Sequence, residues 1–142
     1  MPIKNYTTTV TAVQSVSEIS GMLAAHGAQR VQQEYQGGSP VSVAFQIDTP
    51  MGMRGFFLPA NVDKVAAVMQ KQHVKATAEQ AQRVAWRILR DWVAAQMAIL
   101  ETEMVTIDEI FLPYMADRDG RTVYQLYESN QLMLGSGRDG PK

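Results

Sequence analysis

Between two clusters of turn-forming residues, Gly37-Gly38-Ser39-Pro40 and Thr49-Pro50-Met51-Gly52, the chain alternates without a break. Val41, Val43, Phe45 and Ile47 occupy one phase, and Ser42, Ala44, Gln46 and Asp48 the other. A period of two is the signature of a strand with one buried face, and glycine and proline at both ends make the chain reverse. The neighbouring segments extend the pattern. A run from Ala28 with Val31 and Tyr35 leads into the first turn, and Met53 to Leu58 leaves the second. Two successive hairpins make a three-stranded antiparallel meander, whose apolar face must be covered by something else.

The rest of the chain supplies the cover. Asn5 to Val13 is rich in Thr, Val and Tyr with partial alternation, which predicts one more strand. Ser15-Val16-Ser17-Glu18 is a capping box opening a helix that carries Ile19, Met22, Leu23 and His26 and stops at Gly27. Pro59-Ala60-Asn61 ends the meander, and Asn61 caps a helix from Val62 to about Gln72. Thr77-Ala78-Glu79-Gln80 opens the longest helix, which runs to about Glu103 on an apolar seam of Ala81, Ala85, Ile88, Trp92, Ala95 and Ile99. That seam buries Trp92 and turns Trp86 toward a partner or another helix. Thr106-Ile107-Asp108-Glu109 starts a further helix limited by Pro113, and Asp117-Arg118-Asp119-Gly120 is a polar turn. A last helix spans Thr122 to Leu134 with Val123, Leu126 and Tyr127, and residues 135–142 form a flexible tail. The order β-α-β-β-β followed by helices predicts an α+β domain over residues 1–134, an antiparallel sheet packed against a C-terminal set of helices.

Composition narrows the chemistry. With 46% hydrophobic and 19% charged residues in 142, the chain can bury enough apolar surface to fold as one domain. There is no cysteine, so disulfides, thiolate metal sites and cysteine nucleophiles are all excluded. Two histidines, His26 and His73, are too few for an all-histidine zinc site. No apolar run is long enough to span a membrane, and the N-terminus lacks the apolar stretch of a secretory signal. The glycines fit hairpins, not a phosphate loop, and no serine sits in a nucleophile elbow. Glu101 and Glu103 diverge on a helix end, and the 117–120 turn lacks the later ligands of a calcium loop. No residue is assigned a catalytic role, and no cofactor or metal is implied.

Charge is distributed unevenly behind a net of −1. Arg54 to Arg90 holds seven basic and two acidic residues, a segment of +5, and Asp91 to Asp119 one basic and seven acidic, a segment of −6. Arg83, Arg87 and Arg90 share one helix stripe by their spacing. With Arg54, Lys71 and Lys75, and with Phe56 and Phe57 close by in sequence, they form the set of a single-stranded DNA groove, where cations follow phosphates and rings stack on bases. The bland alternative is a solvated amphipathic helix beside core phenylalanines. The acidic run suggests a different role, an inhibitor of a host protein that uses an acidic or apolar surface. Nine methionines and the outward Trp86 predict a homo-oligomer.

Tyr6-Thr7-Thr8-Thr9, Leu23-Ala24-Ala25-His26-Gly27-Ala28, Phe57-Leu58-Pro59-Ala60-Asn61, Arg83-Val84-Ala85-Trp86-Arg87-Ile88 and Ile110-Phe111-Leu112-Pro113-Tyr114-Met115 resemble small uncharacterised proteins encoded by bacteriophages and prophages. The likeness covers almost the whole chain apart from the tail. It implies a protein of the bacterial host cytoplasm and carries no catalytic residues with it. More distantly, three antiparallel strands followed by a helix are similar in topology to the core of phage single-strand-annealing proteins. The resulting expectation is a non-catalytic phage protein that binds single-stranded DNA in recombination or replication.

Overall fold

A computed structural model describes residues 1–132 and 135. The elements run α1 (Ala12–Ala25), β1 (Ala28–Gln36), β2 (Ser39–Thr49), β3 (Gly52–Pro59), α2 (Val62–Lys71), α3 (Ala78–Glu101), α4 (Ile107–Phe111), a 3-10 turn (Leu112–Tyr114) and α5 (Val123–Glu128). The α+β class is as expected: a three-stranded antiparallel sheet in the order β1-β2-β3, with helices before and after it. Phe45 lies opposite Phe56 and Val43 opposite Leu58, so the alternating residues of β2 and β3 share one buried face. Gly27 has φ +104° at the end of α1, a conformation that suits glycine and lets the chain turn straight into β1.

The strand expected over Asn5 to Val13 is not formed. Thr11 caps α1 by accepting from the Gln14 N–H at 3.1 Å, so the helix starts ahead of the Ser15–Glu18 box. The preceding segment hangs on side chains instead of a strand ladder. Gln80 donates to the carbonyls of Tyr6 and Thr8 at 3.1 and 3.0 Å, and Asn5 donates to Asp91 at 2.9 Å. With its side-chain amide so engaged, Gln80 does not reach back to close a capping box with Thr77, which caps α3 alone by accepting from the Gln80 N–H.

The longest helix is buried on two sides. Trp86, Val93 and Met97 join Val16, Ile19, Leu23 and the inner sheet face in the main core, while Ala81 and Val84 pack with Met69 against α2. This reverses the expected tryptophan roles. Trp86 is 0% exposed, and its Nε1–H donates to the Pro40 carbonyl at 3.0 Å, tying α3 to the start of β2. Trp92 is half-buried at the core margin, edge-to-face with Phe111 and Tyr114 at centroid distances of 5.5 and 5.8 Å. A second copy cannot pack on Trp86, and Ala95 and Ile99, the far end of the expected seam, are exposed.

The C-terminal third closes the sheet. Thr106 and Glu109 form the capping box of α4, and Pro113 sits in the 3-10 turn that follows it. Met115 bridges Phe56, and the Ala116 N–H donates to the Gly55 carbonyl at 2.8 Å, so the free edge of β3 is bridged at its middle. The polar turn forms as expected, with Asp117 Oδ1 accepting from the N–H groups of Asp119 and Arg121 at 2.9 Å. Thr122 and Gln125 make a capping box for α5, which ends at Glu128; residues 129–132 do not continue the expected helix, with Asn130 at φ +62°, and Met133, Leu134 and the expected tail, Gly135 apart, lie outside the described residues. Among the described residues, no helix is long and apolar enough to cross a membrane.

Candidate functional site

The arginine stripe lies at the junction of α1 and α3, where it is held by carboxylates. Arg87 and Arg90 both bind Glu18, at 3.2 and 2.8 Å, and Arg87 also donates to Ser15 Oγ at 3.4 Å. Arg90 reaches Asp91 at 3.4 Å, and Arg83 pairs with Glu79 at 2.5 Å while donating to Gln80. These guanidiniums are partly buried, and each is held by a carboxylate of the chain itself. Hydrogen bonds from Gln14, Arg87 and Arg90 hold the Glu18 carboxyl below its ordinary value against a smaller effect of burial. A phosphate approaching Arg87 or Arg90 would compete with Glu18, through which these two arginines dock α1 on α3. Sequence spacing placed the three arginines on one side correctly, but could not show which carboxylate they face.

The remaining residues of the expected groove do not come together. Phe56 is 2% exposed and stacks on Phe45 at 5.1 Å within the core, so it has no face to offer a base. Arg54 is on the same sheet side, opposite Ile47, and its guanidinium folds back onto the Met53 carbonyl at 2.9 Å. Lys71 at the end of α2 and Lys75 in the following loop are exposed, as is Lys64 one face-repeat earlier, and none has an acidic partner among the described residues. The acidic run is largely engaged as well. Asp91 meets Lys4 at 3.1 Å, Glu101 meets His26 at 3.2 Å, Asp108 and Glu109 serve Thr106, and Asp117 and Asp119 meet Arg121 at 3.4 and 3.6 Å. Partial burial pushes the Asp91 carboxyl up, but hydrogen bonds from Asn5 and Lys4 outweigh it and leave it lowered. The backbone N–H of Arg121 is the main cause of a lowered Asp117.

With the arginine stripe and most of the acidic run engaged inside the chain, an uncharged surface with unused binding capacity is centred on Phe57. Adjacent strand residues point to opposite faces, so with Phe56 in the core Phe57 must stand on the outer face of the sheet. There it forms one wall of a cleft of about 350 Å³ between β3 and the C-terminal elements, completed by Pro59, Pro113, Tyr114, Tyr124 and Gln125. The segment that caps β3 is what hangs α5 opposite Phe57, and Tyr124 and Tyr127 there are 54% and 53% exposed. Among the described residues, no charged side chain lines this cleft. On the other side of Phe57 is a shallower hollow of about 260 Å³, floored by Ala44 and Gly55 and edged by Arg30, Gln32 and Gln46.

Sequence alone assigns no binding role to Tyr124, Pro113 or Tyr114. The usable signal was the Phe56-Phe57 pair, because a strand cannot bury two neighbouring rings on one face. Among the described residues, no three His, Asp or Glu side chains converge as a metal site would require. In comparisons with known proteins the chain matches no family model, no curated protein and no solved structure.

Proposed function

We propose that this chain is a non-catalytic protein-interaction module that takes an extended, apolar, proline-containing segment of a partner protein into the Phe57–Tyr114–Tyr124 cleft. The observation that carries the reading is a groove walled by three aromatic rings and two prolines, with Gln125 and the tyrosine hydroxyls among its polar groups. Extended proline-rich segments dock on aromatic-lined grooves because they are already ordered before binding and lose little entropy. An acidic ligand has no cation to meet in this lining, and a basic one has no carboxylate. In the phage setting implied by the sequence resemblance, the partner is a host protein and the role is anti-defence or takeover.

Fluorescence anisotropy with labelled proline-rich decapeptides tests this. Binding should be nearly independent of salt, and Tyr124→Ala should weaken it roughly tenfold or more, the usual loss at a central aromatic anchor. Absence of binding, or binding indifferent to Tyr124→Ala, contradicts the reading.

A second reading is favoured by one observation, that Lys64, Lys71 and Lys75 are exposed and unpaired among the described residues. It keeps single-stranded DNA as the ligand, moved from the arginine stripe to α2 and the loop after it. Affinity for labelled oligo-dT would then fall steeply with salt, and Lys71→Glu with Lys75→Glu would abolish it. Salt-independent or absent oligo-dT binding removes this second reading.

A further inference from the structure

The sheet has one edge bridged at its middle and, among the described residues, one open. Met115 and Ala116 bridge β3, whereas among the described residues β1 has β2 on one side only, and seven of its nine residues are exposed. An exposed strand edge is a template for another strand, and proteins usually blunt it with lysine, proline or a covering element. β1 contains neither lysine nor proline. Its register is irregular at both ends, between Ala28 and Arg30 and between Glu34 and Tyr35, which leaves Arg30 to Glu34 as a regular ladder.

The charges on that ladder are self-complementary. Arg30 and Glu34 lie on the outer face, opposite Gln46 and Ser42 of β2, and neither has an ion-pair partner among the described residues. Two copies of β1 related by a two-fold axis along the sheet normal pair antiparallel, and directly opposed residues keep the same face. With the axis at Gln32, Arg30 of each copy stands opposite Glu34 of the other, so both charges are matched twice. Moving the axis to Val31 or Gln33 sets each charge against an uncharged residue. Only the Gln32 register neutralises both.

We propose that a second copy of this chain adds at the β1 edge in the Gln32-centred register, forming a continuous six-stranded antiparallel sheet. This surface is separate from the Phe57 cleft, which stays open in the pair, and it replaces the Trp86 contact that burial rules out. Outer-face residues of the two copies then form one uninterrupted platform. The partner is another copy because the edge supplies its own complement.

Sedimentation velocity over a wide concentration range tests the pairing, using Glu34→Arg, Arg30→Glu and their equimolar mixture. Both positions are exposed, so the variants should keep the wild-type circular dichroism. Wild type should move with concentration from 15.8 kDa toward twice that mass. Each single variant opposes like charges twice and should associate roughly tenfold more weakly. In the mixture, one chain carries arginine at both positions and the other carries glutamate at both. Every opposed pair is then again of opposite sign, and association should return. Glu34→Gln, which removes attraction without adding repulsion, should fall between. A wild type that stays at 15.8 kDa throughout overturns the proposal, as do single variants that pair like wild type or a mixture that fails to recover.

Discussion

Replacing Trp86 by alanine tests the packing on which the whole fold rests. The side chain is 0% exposed, at the point where α3 meets the inner sheet face, and its indole N–H satisfies the buried Pro40 carbonyl at 3.0 Å. Truncating a buried tryptophan costs about 3–5 kcal/mol from lost transfer energy and the cavity left behind. Losing the hydrogen bond to Pro40 adds about 1–3 kcal/mol, because the carbonyl remains buried without a donor. The sum, about 4–8 kcal/mol, is comparable to the roughly 5–15 kcal/mol by which such domains are stable at all. Trp92 differs: it is half-buried, and its loss removes two edge-to-face contacts and part of an apolar surface, about 2–3 kcal/mol in total. Urea unfolding followed by far-ultraviolet circular dichroism separates the two. Trp86→Ala should be largely unfolded without urea, Trp86→Phe should lose about 1–3 kcal/mol for the missing donor, and Trp92→Ala should keep a clear native baseline. A Trp92→Ala midpoint at or below that of Trp86→Ala would refute the assignment of the two rings.

Glu18 makes stability sensitive to acid. Its carboxyl is lowered by Gln14 and then by Arg87 and Arg90, so its contribution is full above the ordinary glutamate range and is lost as pH falls through the lower folded-state value. Thermal melts should show Glu18→Gln less stable than wild type at neutral pH, with the two curves converging under acid; a constant gap argues against the α1–α3 carboxylate link. Gly27→Ala places a side chain at φ +104° and should cost about 1–3 kcal/mol in urea melts, and a neutral result would mean that the turn from α1 into β1 relaxes freely. Thr11→Ala should cost about 1 kcal/mol as a lost N-cap, whereas Ser15→Ala, were the Ser15–Glu18 box the true helix start, would produce that cap loss instead.

The meander was legible because its signals were local and redundant. Alternation in β2 was bounded by turn residues on both sides, and Asn61, Thr77, Thr106 and Thr122 each stood at a helix start. The N-terminal strand was misread because Thr- and Val-rich residues fit a strand and a capped lead-in equally, and Gln80, more than 70 residues away, decides between them. The tryptophans were exchanged because α3 has two apolar faces: the Ala81–Val84–Ile88 side toward α2 and the Trp86–Val93–Met97 side toward the sheet. A single-stripe reading selects one and exposes the other. What the arginine stripe faces was hidden for a different reason. Spacing along a helix reports which side chains are neighbours, and is silent on Glu18, which arrives from another helix. Tyr124 lay on a short helix whose position depends on the pairing of Met115 with Phe56, a contact between distant parts of the chain.

The central claim is that binding is carried by the aromatic cleft and not by charge. Two-dimensional ¹H–¹⁵N correlation spectra of the labelled chain, titrated in parallel with a proline-rich peptide and with oligo-dT, test it most directly. The account predicts that the peptide moves the amide signals of Phe57, Thr122, Tyr124 and Gln125 together, with no response at Arg83, Arg87 or Arg90. Shifts produced only by oligo-dT and gathered on Lys71, Lys75 and the α3 arginines, with the cleft signals unmoved by peptide, would contradict it.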